Sequence, residues 1–222
     1  MIDWTASMQR SYEYYIVDPN TWKDTDQINT ITKSSINEDE SNQTLGSASF
    51  SATGMLDECY VRTYLVVNQN GVTKKIALGT HLVQTPTESF DGKTVSVSLD
   101  AYTPLIELKN SVPPIGYTLL EGQNIMDAAV ALCRENLRAP VVPVKNDTEL
   151  LTGNFTTNAE DTWLAFIEDL LATGKYRFAL DGMGRVMFAP DQKMAALSPV
   201  TTFDDGNSSI LYSDITHKRD LY

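Results

Sequence analysis

The clearest structural pattern in this chain is Cys59-Tyr60-Val61-Arg62-Thr63-Tyr64-Leu65-Val66-Val67, which runs into Asn68-Gln69-Asn70-Gly71. β-Branched and aromatic residues dominate the first part, and such residues favour a β-strand. Asn-Gly supplies the positive φ angles of a tight hairpin turn. The pattern therefore predicts an antiparallel hairpin whose return strand begins near Thr73, bends at Gly79 and ends at Thr85-Pro86.

Segments on both sides of this hairpin also have strand patterns. In Leu45 to Thr53, the apolar positions Ala48, Phe50 and Ala52 alternate with serines, as expected for a strand with one buried face. Short strands at this spacing, each followed by turn residues, favour a sandwich or barrel over a parallel α/β sheet. The additional predicted strands are Tyr12–Val17, Ile28–Ile36, Leu45–Thr53 and Thr94–Leu99.

The character of the sequence changes at Asn110-Ser111-Val112-Pro113-Pro114-Ile115-Gly116, where two prolines and a glycine indicate a linker or a domain boundary. An amphipathic helix is predicted next, because its apolar residues recur at helical spacing and the pattern ends before Pro140. These apolar residues are Ile125, Ala128, Ala129, Leu132 and Cys133.

A second helix and a second hairpin follow. We expect Asn158 to cap the helix and Gly174 to end it in a left-handed conformation. The hairpin is predicted from Tyr176–Leu180 and Arg185–Ala189, with Asp181-Gly182-Met183-Gly184 as its turn. Together these elements predict a small α+β unit. The buried stripe of the helix comprises Trp163, Phe166, Ile167, Leu170 and Leu171.

Charge and composition limit the classes of function. The 222 residues contain 17 Lys and Arg against 29 Asp and Glu, a formal charge of −12. Such a surface repels phosphate, so we predict that the chain does not bind nucleic acid. Simple solubility is the favoured explanation of the charge; the functional one is an acidic wall past which DNA slides without sticking.

The sequence also predicts a soluble protein made in a cytoplasm and without a membrane anchor. No apolar run approaches the roughly 20 residues that span a bilayer, and Met1-Ile2-Asp3-Trp4-Thr5 does not resemble a secretory signal. Cys59 and Cys133 lie far apart, and we expect two buried, reduced thiols rather than a disulfide or a zinc site.

We predict no catalytic, cofactor-binding or metal site, and therefore not an enzyme. His81 and His217 are the only histidines, and His81 lies in a strand pattern where a hydrogen-bonded structural role is favoured over that of a base. Gly182 and Gly184 stand between strand patterns, so we assign them to a hairpin turn rather than a nucleotide site.

Neighbouring carboxylates are the other candidates for a catalytic or metal site. Glu168 and Asp169 are expected on the solvent face of the second helix, and Asp57-Glu58 and Glu38-Asp39-Glu40 in turns. Asp204-Asp205-Gly206-Asn207-Ser208 has oxygen-rich spacing for calcium but lacks the distal Glu of an EF-hand loop. None of these groups predicts the facing pair of carboxylates that a glycosidase requires.

One stretch, residues 116–125, resembles the opening of LysM modules, which bind peptidoglycan sugars. It reads Gly116-Tyr117-Thr118-Leu119-Leu120-Glu121-Gly122-Gln123-Asn124-Ile125, and it departs from the motif where Gln123-Asn124 replaces the usual Asp-Thr. A cell-wall carbohydrate-binding module of a tail or surface protein is therefore the alternative function. The favoured interpretation of the stretch is a strand, a turn and a helix start in a structural insert.

The order of features along the chain resembles that of phage tail-hub (baseplate hub) proteins, in their N-terminal part. The resemblance rests on seven short stretches in a common order, which together extend across nearly the whole chain. These stretches are Tyr15-Ile16-Val17-Asp18-Pro19, Leu45-Gly46-Ser47-Ala48-Ser49-Phe50, Tyr60-Val61-Arg62-Thr63-Tyr64-Leu65, Ala77-Leu78-Gly79-Thr80-His81-Leu82-Val83-Gln84-Thr85-Pro86, Leu99-Asp100-Ala101-Tyr102-Thr103-Pro104-Leu105, Thr162-Trp163-Leu164 through Leu171-Ala172-Thr173-Gly174, and Leu180-Asp181-Gly182-Met183-Gly184-Arg185.

The resemblance implies an α+β chain with a tube-type antiparallel β-barrel at residues 1–108, an α+β insert at 109–197 and the start of a second barrel at 198–222. Hubs of this family form a trimeric ring of six barrels that joins the tail tube to the spike, fibre or tip. The implied partners are sister copies and other tail proteins (a tail tube or distal tail protein, a spike or fibre, a tape-measure protein), and the implied location is the virion tail. DNA would pass through the ring without being bound.

Within such a ring we expect the Cys59–Val67 hairpin and its return strand to pair or pack between subunits. The alternative is that they only complete the barrel of one monomer. The chain ends at Arg219-Asp220-Leu221-Tyr222 without a stop pattern, which suggests that it continues. A cell-wall hydrolase is the least favoured function, because no pair of facing carboxylates is predicted.

Overall fold

Seven antiparallel strands form the main sheet of the computed structural model, which describes residues 2–90, 92, 93, 95–144 and 147–191, with only the backbone at position 85. The spatial order of the strands is β2-β1-β5-β6-β7-β4-β3. Contacts within the chain separate residues 1–190 from residues 191–222. The strands are β1 Gln9–Val17, β2 Asp24–Gln27, β3 Ile31–Glu38, β4 Gly46–Ala52, β5 Tyr60–Gln69, β6 Val72–Phe90 and β7 Val95–Tyr102.

The strand order requires this sheet to be rolled. β2 and β3 lie at opposite ends of the sheet, yet only residues 28–30 connect them. Seven flat strands would place these edges about 29 Å apart, whereas the connection spans at most about 14 Å. Ile28 N–H still bonds to Tyr14 on β1, and the Thr30 carbonyl accepts from Thr53 beyond β4. The two ends of the sheet therefore come close at this corner, although no β2–β3 pairing occurs among the described residues.

One face of the rolled sheet encloses its own hydrophobic core. The alternation expected for β4 is confirmed, because Ala48, Phe50 and Ala52 are buried and Phe50 is only 1% exposed. Val97 and Leu99 of β7 face the same core. The buried core residues are Tyr14, Ile28, Ile31, Ala48, Phe50, Ala52, Val61, Val83, Val97, Leu99 and Ala101.

The central hairpin forms as expected. Asn70 and Gly71 connect β5 to β6 with φ angles of 52° and 77°, the left-handed pair that a two-residue hairpin turn needs. The bend near Gly79 is also present, because the pairing with β5 shifts by one residue between Thr63 and Tyr64. A Cβ atom on Gly79 would lie 2.6 Å from Cε1 of His81, so the close approach of that ring requires glycine.

The prediction that the return strand ends at Thr85-Pro86 is wrong. β6 continues to Phe90 and pairs with β7 from Leu82 to Phe90, with a shift of register between Gln84 and Pro86. Proline lacks an N–H and is tolerated at a bulge or on an edge. Both conditions hold here, because β5 no longer accompanies β6 beyond Leu82.

The rest of residues 1–190 forms the α+β part. The first amphipathic helix is confirmed as α2, and the second hairpin as β10 and β11. β8 pairs with β9 in a separate two-stranded sheet, and α1 follows β7 directly. The elements are α1 Ile106–Lys109, β8 Thr118–Leu119, α2 Ile125–Asn136, β9 Phe155–Thr156, α3 Trp163–Thr173, β10 Tyr176–Leu180 and β11 Val186–Pro190.

The second helix ends at Gly174 as predicted, but its N-terminal cap and the conformation of this glycine need correction. Thr162 caps α3 by accepting from the N–H of Ala165, and Asn158 instead begins a turn in which its N–H bonds to Asp161. The left-handed residue after the helix is Lys175, with a φ of 57°, whereas Gly174 has a φ of −86°. The threonine was missed because the Asn158–Asp161 pair also has capping chemistry at the right spacing.

The sheet and the α+β part share a hydrophobic cluster. Val17, Trp22, Tyr60 and Leu82 from the sheet pack in the same cluster as the buried faces of α2 and α3. The boundary expected near residue 108 stays a prediction, and the expected second barrel at 198–222 lies outside the described residues. The outer face of β1, β5 and β6 is thus covered at one end by the α+β part.

A buried arginine connects the two parts. Arg62 on β5 is fully buried and forms an ion pair with Asp24 of β2, with 2.6 Å between Nη1 and Oδ1. Its Nε donates to Oγ1 of Thr80 at 2.8 Å, and its Nη2 donates to the carbonyl of Met183 at 3.0 Å. Met183 lies in the turn between β10 and β11, so one guanidinium group holds β2, β6 and this turn together.

The turn itself fits closely against the sheet. The Met183 carbonyl also accepts from Nε1 of Trp22 at 2.8 Å and from Oγ1 of Thr80 at 3.0 Å. A Cβ atom on Gly182 would lie 2.3 Å from the carbonyl oxygen of Ala77, and one on Gly184 would lie 2.6 Å from Cβ of Thr80. The two glycines predicted for this turn therefore allow its backbone to contact β6.

Removing the carboxylate beside Arg62 is expected to destabilise the fold. Asp24→Asn leaves a buried guanidinium without its counter-charge, which should lower the free energy of unfolding by about 3 kcal/mol. Glu13→Gln is the control, because it breaks the half-exposed pair with Lys75 and should cost less than about 1 kcal/mol. Urea denaturation measures the free energy of unfolding of both variants. Equal losses of this free energy in the two variants would show that the buried guanidinium group of Arg62 does not need the charge of Asp24.

Candidate assembly surface

Two strands of the main sheet have an unpaired edge. Among the described strands, β2 pairs only with β1, and β3 pairs only with β4. All four residues of β2 are exposed, and β3 exposes most of its side chains. Unpaired backbone N–H and C=O groups on such edges are available to a strand from another chain.

A third open edge lies on β6. From Gln84 to Phe90 this strand pairs with β7 alone, because β5 ends its pairing at Leu82. The ends of both strands also extend past β4, whose pairing with β7 stops at Val97. We call the two pairs beyond β4, which are formed by Ser89–Phe90 and Val95–Ser96, the outer hairpin.

The outer hairpin carries apolar surface at its end. Phe90 is paired with Val95, and 67% of Phe90 is exposed. The next pair is polar, with the hydroxyl groups of Ser89 and Ser96 2.8 Å apart. An aromatic ring exposed beside an open strand edge is chemistry suited to contact with another protein surface. The sequence does not indicate this surface, because Pro86 predicts the end of the strand.

The first strand of the hairpin that we expected to contact sister subunits, β5, has a neighbouring strand on each side. β5 pairs with β1 over Tyr60–Asn68 and with β6 over its full length, so neither of its edges is open. The expectation of edge pairing is therefore wrong for β5, which completes the sheet of its own chain. For the return strand, β6, pairing with a sister subunit stays a prediction. The part of β6 that has an open edge is the segment beyond Leu82.

His81 is buried in β6, as a structural histidine would be, but it is not fully hydrogen bonded. It is 4% exposed, and its Nδ1 has no hydrogen-bond partner among the described residues. Burial lowers the pKa of His81 to about 4, so the ring is neutral at pH 7. His217 lies outside the described residues.

The candidate carboxylates are dispersed over the surface. Asp57 and Glu58 are exposed, and Glu58 lies 3.6 Å from Arg138. On α3, Asp169 is exposed as expected, but Glu168 is half-buried, and this burial raises its pKa. Within the described residues no group of three or more His, Cys, Asp or Glu could hold a metal ion. The Asp204–Ser208 segment lies outside the described residues.

The two thiols are free, as expected, but only one of them is fully buried. Cys133 is buried on α2, which raises its pKa to about 12, whereas Cys59 is half-buried before β5. The pKa of Cys59 is also raised, first by burial and then by the charges of Asp57 and Glu58. Neither thiol is activated as a nucleophile, because activation requires a lowered pKa.

The LysM-like stretch packs into the α+β part rather than forming an aromatic groove. Tyr117 is half-buried, with its ring 5.1 Å from Trp163 and 5.8 Å from Phe166, and both partners are buried. Its strand, β8, pairs with β9, which precedes α3. A sugar-binding groove beside Tyr117 would need exposed aromatic rings, so this geometry favours the structural interpretation of the stretch.

None of the described helices is both long enough and apolar enough to cross a membrane.

The comparisons with known proteins show a fold. The chain matches no model of a protein family, and no curated protein is significantly similar to it. Among solved structures it is similar to the tail protein from Neisseria meningitidis MC58, with a TM-score of 0.61 and 13% identity over 90% of this chain and 57% of that one. It is also similar to the 43 kDa tail protein of prophage MuSo2 from Shewanella oneidensis, with a TM-score of 0.55 and 15% identity over 82% of this chain and 56% of that one.

The environment of His81 predicts a pH-dependent stability. The unfolded chain binds a proton at this ring near pH 6.5, whereas the folded chain does so only near pH 4. Its contribution to stability is therefore complete above pH 6.5 and is lost as the pH falls to 4, by up to about 3 kcal/mol. Because carboxylates titrate in the same range, the measurement is the difference in unfolding free energy between the wild type and His81→Gln. If this difference in unfolding free energy is the same at pH 7 and at pH 4, the prediction is contradicted. His217→Gln is the control variant.

The chain therefore shares its fold with two tail proteins and spans just over half the length of each.

Proposed function

We propose that this chain is a structural component of a phage or prophage tail, which assembles through the open edges of its rolled sheet. The observation that carries the proposal is the combination of a shared fold with two tail proteins and three unpaired strand edges on one sheet. A tail is built from repeated contacts between subunits, and open edges offer such contacts through backbone hydrogen bonds. Catalysis plays no part in this proposal.

In the finer form of the proposal, the chain belongs to the hub that joins the tail tube to the tip. Residues 1–108 form a tube-type barrel, residues 109–197 form an insert, and three copies of the full protein build a ring of six barrels. The near approach of β2 and β3 at residues 28–30 supports a barrel-like, rolled sheet in which the edges of β2 and β3 stay unpaired within the chain. The chain spans 57% and 56% of the two similar proteins, and in this form of the proposal residues 198–222 begin the second barrel.

The outer hairpin contributes most to the proposed contact. Phe90 and Val95 are exposed in the single chain and would be removed from water by a sister copy or a neighbouring tail protein. Burial of one aromatic side chain contributes roughly 2 kcal/mol, and the unpaired edge of Gln84–Phe90 adds hydrogen bonds beside it. The contact is therefore both apolar and directional, which suits assembly in a fixed geometry.

The negative charge of the chain is consistent with a ring channel through which DNA passes without being bound. A formal charge of −12 repels phosphate, so an acidic channel lets the genome pass. We propose that the surface lining the channel of the ring is enriched in Asp and Glu. Simple solubility remains the competing explanation of this charge.

Mass spectrometry of purified particles tests this function. In tails isolated from cells that produce this chain, its peptides should be present in a fixed ratio to those of the other tail proteins, in multiples of three copies per particle. Absence of the peptides from intact particles would contradict a structural role. Release of sugar fragments from peptidoglycan by the purified protein would favour a cell-wall hydrolase instead.

Substitution at the outer hairpin tests the proposed contact. Phe90→Asp places a charge where an apolar contact should form, and it should prevent incorporation into particles while changing the melting temperature of the single chain very little. Ile115→Asp is the matched control, because Ile115 is 94% exposed in the linker of the insert. Normal incorporation of the Phe90 variant would exclude this hairpin from the contact.

A further inference from the structure

The rolled sheet has an opening between the first half of β1 and the second half of β3. β1 pairs with β2 only from Tyr15 onward, so among the described strands its residues Gln9–Glu13 pair with β5 alone. β3 pairs only with β4 as far as Glu38. Because residues 28–30 bond to β1 on one side and to the end of β4 on the other, these two unpaired edges face each other beyond this corner. We call the opening, bounded by Gln9–Glu13 and Lys33–Glu38, the edge gap.

The narrow end of the edge gap has a limited width. The hydroxyl groups of Tyr14 and Ser34 lie 2.8 Å apart across it. Given the lengths of the two side chains, this contact keeps the two backbones within about 12 Å of each other. A strand that pairs on both sides needs roughly 10 Å between its neighbours, and two added strands would need roughly 14 Å. The narrow end is therefore limited to one added strand.

The enclosed face of the sheet is exposed at the edge gap. Tyr12 and Tyr14 lie two positions apart on β1 and thus on the same face of the sheet. Tyr14 packs in the enclosed core and is 8% exposed, whereas 55% of Tyr12 is exposed. On the other side of the gap, Ile36 packs against the same core but is only partly buried. Apolar surface beside two open strand edges is suited to contact with another polypeptide.

A strand that fills the edge gap must have both of its own edges free. Every strand of the described chain already pairs along at least one edge. A described strand of a sister copy could therefore lie between β1 and β3 only after leaving its own sheet. An extended segment of a different protein has both edges free before it binds, so it fits the gap without this loss of pairing.

We propose that the edge gap receives one extended strand from a neighbouring tail protein. The backbone of this strand bonds to β1 on one side and to β3 on the other, and apolar side chains at alternate positions cover Tyr12 and Ile36. This inference rests on the proposed function and deepens it, because it names the class of partner: a free extended segment, not a second folded sheet. It is independent of the contact at the outer hairpin.

Photo-cross-linking in assembled particles tests the proposal. p-Benzoylphenylalanine replaces Tyr12 in the full chain, and mass spectrometry identifies the cross-linked peptides. The expected product joins position 12 to one short segment of a single different tail protein. The control places the same group at Leu120, which is 60% exposed in the α+β part, and should not yield that product. The proposal is overturned if position 12 cross-links only to this chain or its sister copies, if it gives no cross-link, or if position 120 yields the same product.

Two neighbouring substitutions separate the inward side of the gap from its outward side. Tyr12→Asp places a charge where the added strand should cover an aromatic ring, and it should lower the number of copies per particle about tenfold. Ser11→Asp is the matched control, because Ser11 is exposed on the opposite face of the same strand and its substitution should leave the copy number unchanged. Both single chains should melt within a few degrees of the wild type, since both positions are exposed.

The outcomes distinguish this inference from the proposed function. Absence of the wild-type chain from particles overturns both. If the wild type is present and Tyr12→Asp is incorporated equally well, or if Ser11→Asp is lost to the same extent, only the added strand is excluded, and the structural role in the tail stands.

Discussion

The short connection between β2 and β3 is the constraint on which the rest of this structure depends. Two strands at opposite ends of a seven-stranded sheet are joined by residues 28–30, so the sheet must roll until its ends approach each other. Rolling gives the sheet an enclosed face, where Phe50 and Leu99 are buried without help from the helices. It also leaves the outer face available to the α+β part, and it leaves edges that are unpaired within the described chain where a second chain can reach them.

Arg62 shows how the two parts of the chain are held in a defined arrangement. A charged group in a protein interior is costly unless it is paired and hydrogen bonded. Here the requirement is met by Asp24, by Thr80 and by the Met183 carbonyl, which come from β2, β6 and the β10–β11 turn. The guanidinium group therefore favours one arrangement of these elements over others in which its charge would be unpaired.

Local patterns in the sequence predicted the parts of the fold that local chemistry determines. Asn70-Gly71, the alternation around Phe50 and the apolar stripe of α2 need only their neighbours to be interpreted, and the structure contains all three elements. The continuation of β6 past Pro86 was missed, because proline is tolerated there only through the absence of β5 on that side. That absence is a property of the whole sheet rather than of the segment.

The candidate sites also depend on long-range contacts that local sequence patterns do not reveal. The prediction that β5 offers an edge failed because strand order depends on pairing with β1, more than 40 positions away in the sequence. Arg62 was quoted within a strand pattern, but its bonds to Asp24 and Met183 could not be inferred, since they join residues 38 and 121 positions apart. The unpaired Nδ1 of His81 likewise follows from tertiary packing, and the sequence could indicate only that the ring lies in a strand.

A cryo-electron microscopy reconstruction of the assembled particle tests the central claim most directly, because it shows what lies beside each open strand. The account predicts that at least one of the edges on β2, β3 and the Gln84–Phe90 part of β6 continues into a strand of a neighbouring chain, with backbone spacing of about 4.8 Å. A reconstruction in which this chain is present but all three edges face solvent would contradict it.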